Sequence, residues 1–217
     1  MTLLHGYWRS SAAYRLRIAL NLKGVSYDQL SVNLKDGHQR EAKHKALHPQ
    51  GFVPVLNIDG EQLIQSPAIL EYLDERFPDP SFLPGTMAER ARIRAYAAVI
   101  GCDIHPIQNL RVLQHIRTEY GQDGDGVRAW CQRWIGDGLT ALEKMADSDG
   151  REGPYLWGKQ PTMADIYLVP QMYNASRWGV DLSAFPRLAA ADETARKHPA
   201  FEAARPENQP DAPEDGH

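Results

Sequence analysis

Two short runs of small polar residues are placed to do chemistry. Ser10-Ser11-Ala12-Ala13 follows an apolar segment at residues 2–7 and opens a stretch in which Ala12, Leu16, Ala19 and Leu20 recur at helical spacing up to Gly24. A helix that begins directly after a strand presents free N–H groups and the positive end of its dipole, which favours an anion and especially a thiolate. A disulfide-exchange protein would carry two cysteines there. Here the positions are serine and alanine, so disulfide exchange is excluded and any thiol must arrive with a ligand. Gln65-Ser66 precedes Pro67 and the apolar positions Ile69, Leu70, Leu73 and Phe77, and so opens a second helix where hydroxyl, amide and N–H groups converge. Taken alone, either of Ser10 and Ser11, and Ser66, read first as helix caps, a role that can coexist with ligand binding.

The other reactive types form no such pattern. Cys102 and Cys131 are isolated, which supports neither a disulfide framework nor a cysteine zinc site, and both read as small apolar side chains buried in helices. The histidines lack metal-ligand spacing, so no metal is expected.

The elements that must hold these residues follow from turn and capping signals. Residues 2–7, the helix ending at Gly24 and residues 26–32 read as strand, helix, strand: a βαβ unit with parallel strands. Residues 35–47 are irregularly helical. Residues 53–58 and 61–64 flank Asp59-Gly60 and read as a hairpin with a tight primed turn. This βαβ-ββα order is the thioredoxin arrangement. Pro78, Pro80, Pro84 and Gly85 then punctuate the chain and mark a domain boundary. Beyond it the signals are helical: residues 87 to about 120 with a bend between Gly101 and Pro106, then 125–146, then 162–177, then shorter pieces to 204. Thr162-Met163-Ala164-Asp165 opens the third of these as a variant capping box. The expected fold is an α/β thioredoxin-like domain over residues 1–84 followed by an all-α domain over residues 85–217.

Composition narrows the function classes. With 42% hydrophobic and 24% charged residues, the 217-residue chain can bury a sizeable core. Its formal charge of −4 resides in the last eleven residues, where Glu207, Asp211, Glu214 and Asp215 face no Lys or Arg. The neutral remainder offers no long-range field to nucleic acid or an anionic membrane. The acidic, proline-containing end, from about residue 206, reads as a disordered tail. No apolar stretch approaches the roughly 18 residues that span a bilayer, and residues 1–8 are too short for a signal-peptide core, so a cytoplasmic location is expected.

Here a resemblance becomes specific. Trp8-Arg9-Ser10-Ser11-Ala12-Ala13-Tyr14-Arg15 is similar to the zeta-class glutathione transferase signature, with Ala12 where the family usually has Cys. The match continues at Val53-Pro54, at Gln65-Ser66-Pro67-Ala68-Ile69, from Cys102 to Arg111, from Asn174 to Leu182 and at Gln209-Pro210-Asp211. Members of this family are maleylacetoacetate isomerases and the similar maleylpyruvate isomerases. The resemblance covers nearly the whole chain and implies the cytosolic glutathione transferase fold, glutathione as cofactor and a homodimer.

What it implies for single residues can be weighed physically. Ser10 would donate a hydrogen bond to the glutathione sulfur, with Ser11 and the Ala12 backbone as further donors. Keeping a thiol of pKa about 8.5 ionised near neutral pH takes about 2.7 kcal/mol. A hydrogen bond to a charged acceptor supplies about 1.5–3 kcal/mol and a helix end about 0.3–1 kcal/mol, so no general base is required. Val53-Pro54 resembles the family's cis-proline turn, which exposes the Val53 backbone to the cysteinyl part. Gln65 and Ser66 match the γ-glutamyl site, and Gln39 a position near the glycyl end. Asp103, His105, Asn109 and Arg111 resemble residues that contact glutathione, in part across a dimer interface. Arg111 and Arg177, with Arg9, would grip a substrate bearing two carboxylates, because guanidinium pairs with carboxylate in a bidentate way that lysine cannot match.

The implied reaction is cis–trans isomerisation: thiolate addition makes the conjugated double bond single, rotation follows, and elimination returns glutathione unconsumed. The expected substrate is maleylacetoacetate, in aromatic compound catabolism. Alternatives are maleylpyruvate, glutathione transfer to small α-haloacids, and a non-enzymatic glutathione-binding domain.

Overall fold

A computed structural model of the chain describes residues 1–213. It divides into two compact units, one of Met1–Ser81 with the stretch that begins at Lys197, the other of Phe82–Arg196.

In the first unit β1 (Leu3–Gly6) runs through a turn into α1 (Ser11–Leu22), and β2 (Asp28–Ser31) returns parallel to β1 with Leu4 opposite Gln29. Gly24, at φ 64°, and the bond from Val25 N–H to the Leu20 carbonyl stop α1 in the left-handed manner expected. After a 3-10 turn at His38–Arg40 comes α2 (Ala42–Leu47). The hairpin of β3 (Val55–Ile58) and β4 (Glu61–Ile64) turns at Asp59 and Gly60, φ 55° and 85°, the left-handed pair a primed turn needs. The sheet order is β2-β1-β3-β4, with β1 and β3 antiparallel. Behind it α3 (Ser66–Arg76) packs on α1. Leu4, Leu16, Ile18, Leu56, Ile69 and Leu73 are fully buried, each worth about 1.5–3 kcal/mol. Phe77, expected on that buried side, is the half-exposed residue after α3, with the Arg76 guanidinium 4.9 Å over its ring.

The second unit is helical: α4 (Met87–Ala98), α5 (Leu110–Glu119), α6 (Gly124–Asp149), α7 (Met163–Arg177) and α8 (Pro186–Arg196). The expected bend after α4 is a π-helical segment, Val99–Ile104, followed by a 3-10 turn at Pro106–Gln108. The Ile104 side chain of this segment packs against Gly138 of α6, where a Cβ would collide with it. Along the segment Ile100 and Ile104 are buried, and Cys102, on the opposite side of the turn, is exposed; the expectation of two buried cysteines holds only for Cys131. Burial pushes the Cys131 thiol up to about 12, which leaves it unreactive. Asp165, fully buried on the first turn of α7, accepts Thr162 N–H at 2.8 Å, the Thr162 hydroxyl at 3.0 Å and Leu156 N–H at 2.8 Å, completing the capping box.

From Lys197 the chain rejoins the first unit rather than extending the helical one. There α9 (Pro199–Ala203) packs on α1, with the Asn21 side chain donating to the Ala200 carbonyl at 2.9 Å. A 3-10 turn at Pro206–Asn208 follows, and Gln209 is buried. The expected disordered tail from about 206 is therefore corrected for residues 206–213, whose polar groups find specific partners in the first unit. Glu214 and Asp215 lie outside the described residues.

Candidate active site

The turn between β1 and α1 places the serine pair. Ser10 stands just outside the helix at φ −68° and ψ 120°, its Oγ accepting the Ala13 N–H at 3.2 Å, and its own N–H donating to the Tyr7 carbonyl at 2.9 Å. It is the cap; Ser11 is the first helical residue. An oxygen that accepts from Ala13 keeps its hydroxyl hydrogen for another acceptor. The first turn of any helix also leaves its N–H groups without intrahelical acceptors, here those of Ser11 and Ala12. Both serines are half-buried and Ala12 is buried. The Arg9 guanidinium lies 5.3 Å over the Trp8 ring, beside this turn.

The second helix start differs from its expectation. Gln65, not Ser66, occupies the cap position of α3, at φ 69° and ψ 107°, and Ser66 is the first helical residue. The buried Ser66 hydroxyl accepts from the Arg15 guanidinium at 3.5 Å instead of capping. A non-glycine residue held at positive φ costs on the order of 1–3 kcal/mol and persists where its surroundings over-determine it, commonly at ligand sites. The exposed Gln65 amide donates to Gln50 at 2.7 Å. Val53-Pro54 is cis, as the resemblance implies. Gln39 is buried, and its Oε1 has no hydrogen-bond partner.

In the helical unit, Asp103 is exposed in the π-helical segment and His105 is half-buried at its end. Asn109 caps α5 by accepting the Arg111 N–H at 3.2 Å, so Arg111 sits exposed on that helix's first turn. Arg177 is the exposed last residue of α7. Four of the five candidates in this unit thus fall in one stretch, and Arg177 on another helix. Among the described residues, no cluster of three His, Cys, Asp or Glu could hold a metal ion, and no helix is long and apolar enough to cross a membrane. Arg15, the last residue of the signature run, and Arg17, for which the sequence suggests no role, are both fully buried on α1; two arginines inside an otherwise apolar helical run are the signal for such burial.

A family model, the glutathione S-transferase N-terminal domain, matches residues 1–75. The chain is 49% identical to a maleylacetoacetate isomerase of Pseudomonas aeruginosa, over 97% of this chain and 98% of that one. The chain belongs to the zeta-class glutathione transferases. A holo structure of a maleylpyruvate isomerase, a bacterial zeta-class protein, superposes with a TM-score of 0.96 at 45% identity, covering 97% of this chain and all of that one. A maleylacetoacetate isomerase of Anaeromyxobacter dehalogenans, with bound dicarboxyethyl glutathione and citrate in its active site, matches at a TM-score of 0.87 and 42% identity, covering 99% and 94%. The Ser10 turn, the cis Val53-Pro54 and the Gln65 corner all lie inside the stretch that the zeta-class chain shares with the N-terminal domain model.

Proposed function

We propose that the protein is a glutathione-dependent cis–trans isomerase that converts maleylacetoacetate to fumarylacetoacetate in tyrosine and phenylalanine breakdown. The observation that carries this reading is the whole-length likeness, at 49% identity, to the Pseudomonas aeruginosa maleylacetoacetate isomerase.

The residues present fit glutathione. Ser10 keeps a hydroxyl hydrogen to donate, two helix starts offer N–H groups to its sulfur and its γ-glutamyl carboxylate, and the unpartnered Oε1 of Gln39 suits an amide N–H of the tripeptide. Glutathione, when bound, supplies a thiolate whose reversible addition lets the substrate's double bond rotate. Ser10, seconded by Ser11 and the Ala12 N–H, holds that sulfur ionised; Val53 pairs through its backbone, Gln65 and Ser66 take the γ-glutamyl end, and Gln39 takes the glycyl end. Asp103, His105, Asn109 and Arg111 add contacts to the tripeptide, in part across a homodimer interface. Arg9, Arg111 and Arg177 grip the two substrate carboxylates and neutralise the charge that develops on the conjugated carbonyl. The protein works in the cytoplasm.

A second reading within the same chemistry is isomerisation of maleylpyruvate, favoured by the TM-score of 0.96 to a maleylpyruvate isomerase. The two substrates differ in chain length beyond the keto group. Side-by-side turnover of both, at equal glutathione, decides between them: a higher kcat/KM on the acetoacetate form supports the first reading, and the reverse order replaces it with the second.

A further inference from the structure

The turn that presents Ser10 is held by a residue 203 positions away. The Trp8 N–H donates to Asp211 Oδ2 at 3.0 Å, and on the other side of the same residue the Trp8 carbonyl accepts Arg17 Nη2 at 2.9 Å. Negative charge thus meets the backbone N–H and positive charge meets the C=O, each a charge-assisted hydrogen bond that holds its group in one orientation. Asp211 Oδ2 also accepts the Ser31 hydroxyl at 2.8 Å, tying the turn to the edge strand β2.

The segment that carries Asp211 is itself anchored by polar contacts. Buried Gln209 donates to the Ala203 carbonyl at 3.0 Å and the Arg205 carbonyl at 2.6 Å, and accepts from Gln29 at 2.8 Å. Arg17 Nε donates to the Ala204 carbonyl at 3.0 Å, so one buried guanidinium grips both the turn and the returning chain. Burial lowers the Arg17 guanidinium to about 10, and the charge of Asp211 is among those that favour its protonated form. A hollow of about 200 Å³ lies beside this segment, lined by Gly6, Gln29, Leu30, Ser31, Pro210 and Asp211.

We propose that Asp211 is a positioning residue: the C-terminal segment sets the Trp8–Ser10 turn, and through it the hydroxyl that meets the glutathione sulfur. This rests on the glutathione-dependent reading of the Ser10 site. A misplacement of about 1 Å at a reacting group can cost up to about a hundredfold in rate, and Ser10 is only two residues from the clamped position.

The test compares wild type, Asp211→Ala, Asp211→Asn, Gln209→Ala and Glu207→Gln by kcat/KM against pH, by thiolate ultraviolet absorbance of bound glutathione, and by thermal midpoint. Asp211→Ala is expected to lower kcat/KM about tenfold and raise the pKa of the bound thiol. Asp211→Asn, which keeps an acceptor for Trp8, restores most of both. Gln209→Ala releases the segment and shifts the thiol in the same direction, which keeps the idea testable if Asp211→Ala does not fold. Glu207→Gln, on the same segment without a bond to the turn, leaves both unchanged. A wild-type thiol pKa and kcat/KM in Asp211→Ala, or in Gln209→Ala if the former is unfolded, overturns the proposal even if the thermal midpoint falls. Absence of glutathione binding to the wild-type protein overturns the underlying reading instead.

Discussion

The Ser10 hydroxyl accepts the Ala13 N–H at 3.2 Å, which places the oxygen at the head of α1 and leaves its single hydrogen for another acceptor. Capping and thiol activation are therefore compatible: a lone pair serves the helix, and the proton stays available to a sulfur. Ser10→Ala removes both. Loss of a hydrogen bond to a charged acceptor, about 1.5–3 kcal/mol, lowers kcat/KM by roughly tenfold to a hundredfold, and loss of the cap costs about 1 kcal/mol of stability. The pH profile of kcat/KM is expected to move to higher pH, towards the free thiol value. A profile that stays in place would assign Ser10 to the cap alone.

Arg177 ends α7 and Arg111 begins α5. If each pairs with a substrate carboxylate, Arg177→Lys, which preserves charge but not the bidentate fork, raises KM for the maleyl substrate while Arg177→Ala loses about tenfold or more in kcat/KM. Glutathione affinity, measured by calorimetry, is expected to remain at the wild-type value in both Arg177 variants. Equal kcat/KM in all three proteins removes Arg177 from the reaction.

Asp165 gathers three donors at the start of α7, two of them backbone N–H groups of Thr162 and Leu156. Asp165→Ala strands these groups in a buried place, at a cost of about 2–4 kcal/mol. The urea unfolding midpoint should drop accordingly. A shift smaller than about 0.5 kcal/mol would mean that water reaches those groups.

Asp192, buried on α8, has its carboxyl pushed from 3.8 up to about 6 by burial, against the pull of Arg196 at 2.6 Å. The native state therefore keeps a proton that the unfolded chain gives up, and this group's contribution to stability is present below about 4 and lost as pH rises through about 6. Asp192→Asn removes that dependence, so variant and wild type diverge in unfolding midpoint as pH rises from 4 to 6. Parallel curves across the window would show that Asp192 titrates alike in both states.

Elements announced by local signals were readable from the sequence. Asp59-Gly60 has the left-handed preference its turn requires, Thr162 and Asp165 stand at capping-box spacing, and a serine after a strand marks the head of α1. What escaped depends on distant partners. Residues 206–213 look solvated because they are acidic and proline-containing, yet Asp211 is bonded to Trp8 and Gln209 to Gln29, pairings that no local pattern encodes. Nothing in a glutamine side chain announces the positive φ that makes Gln65, and not Ser66, the cap. Cys102 is exposed because Ile100 and Ile104 define the buried side of its segment and position 102 falls opposite them.

A glutathione-dependent isomerase requires glutathione and returns it. Wild-type protein given maleylacetone and glutathione at a small fraction of the substrate concentration should convert the substrate fully to the fumaryl isomer, with all the thiol recovered at the end and no conversion when glutathione is omitted. Conversion that stops after one equivalent of thiol is consumed, or that proceeds equally without it, would contradict the account.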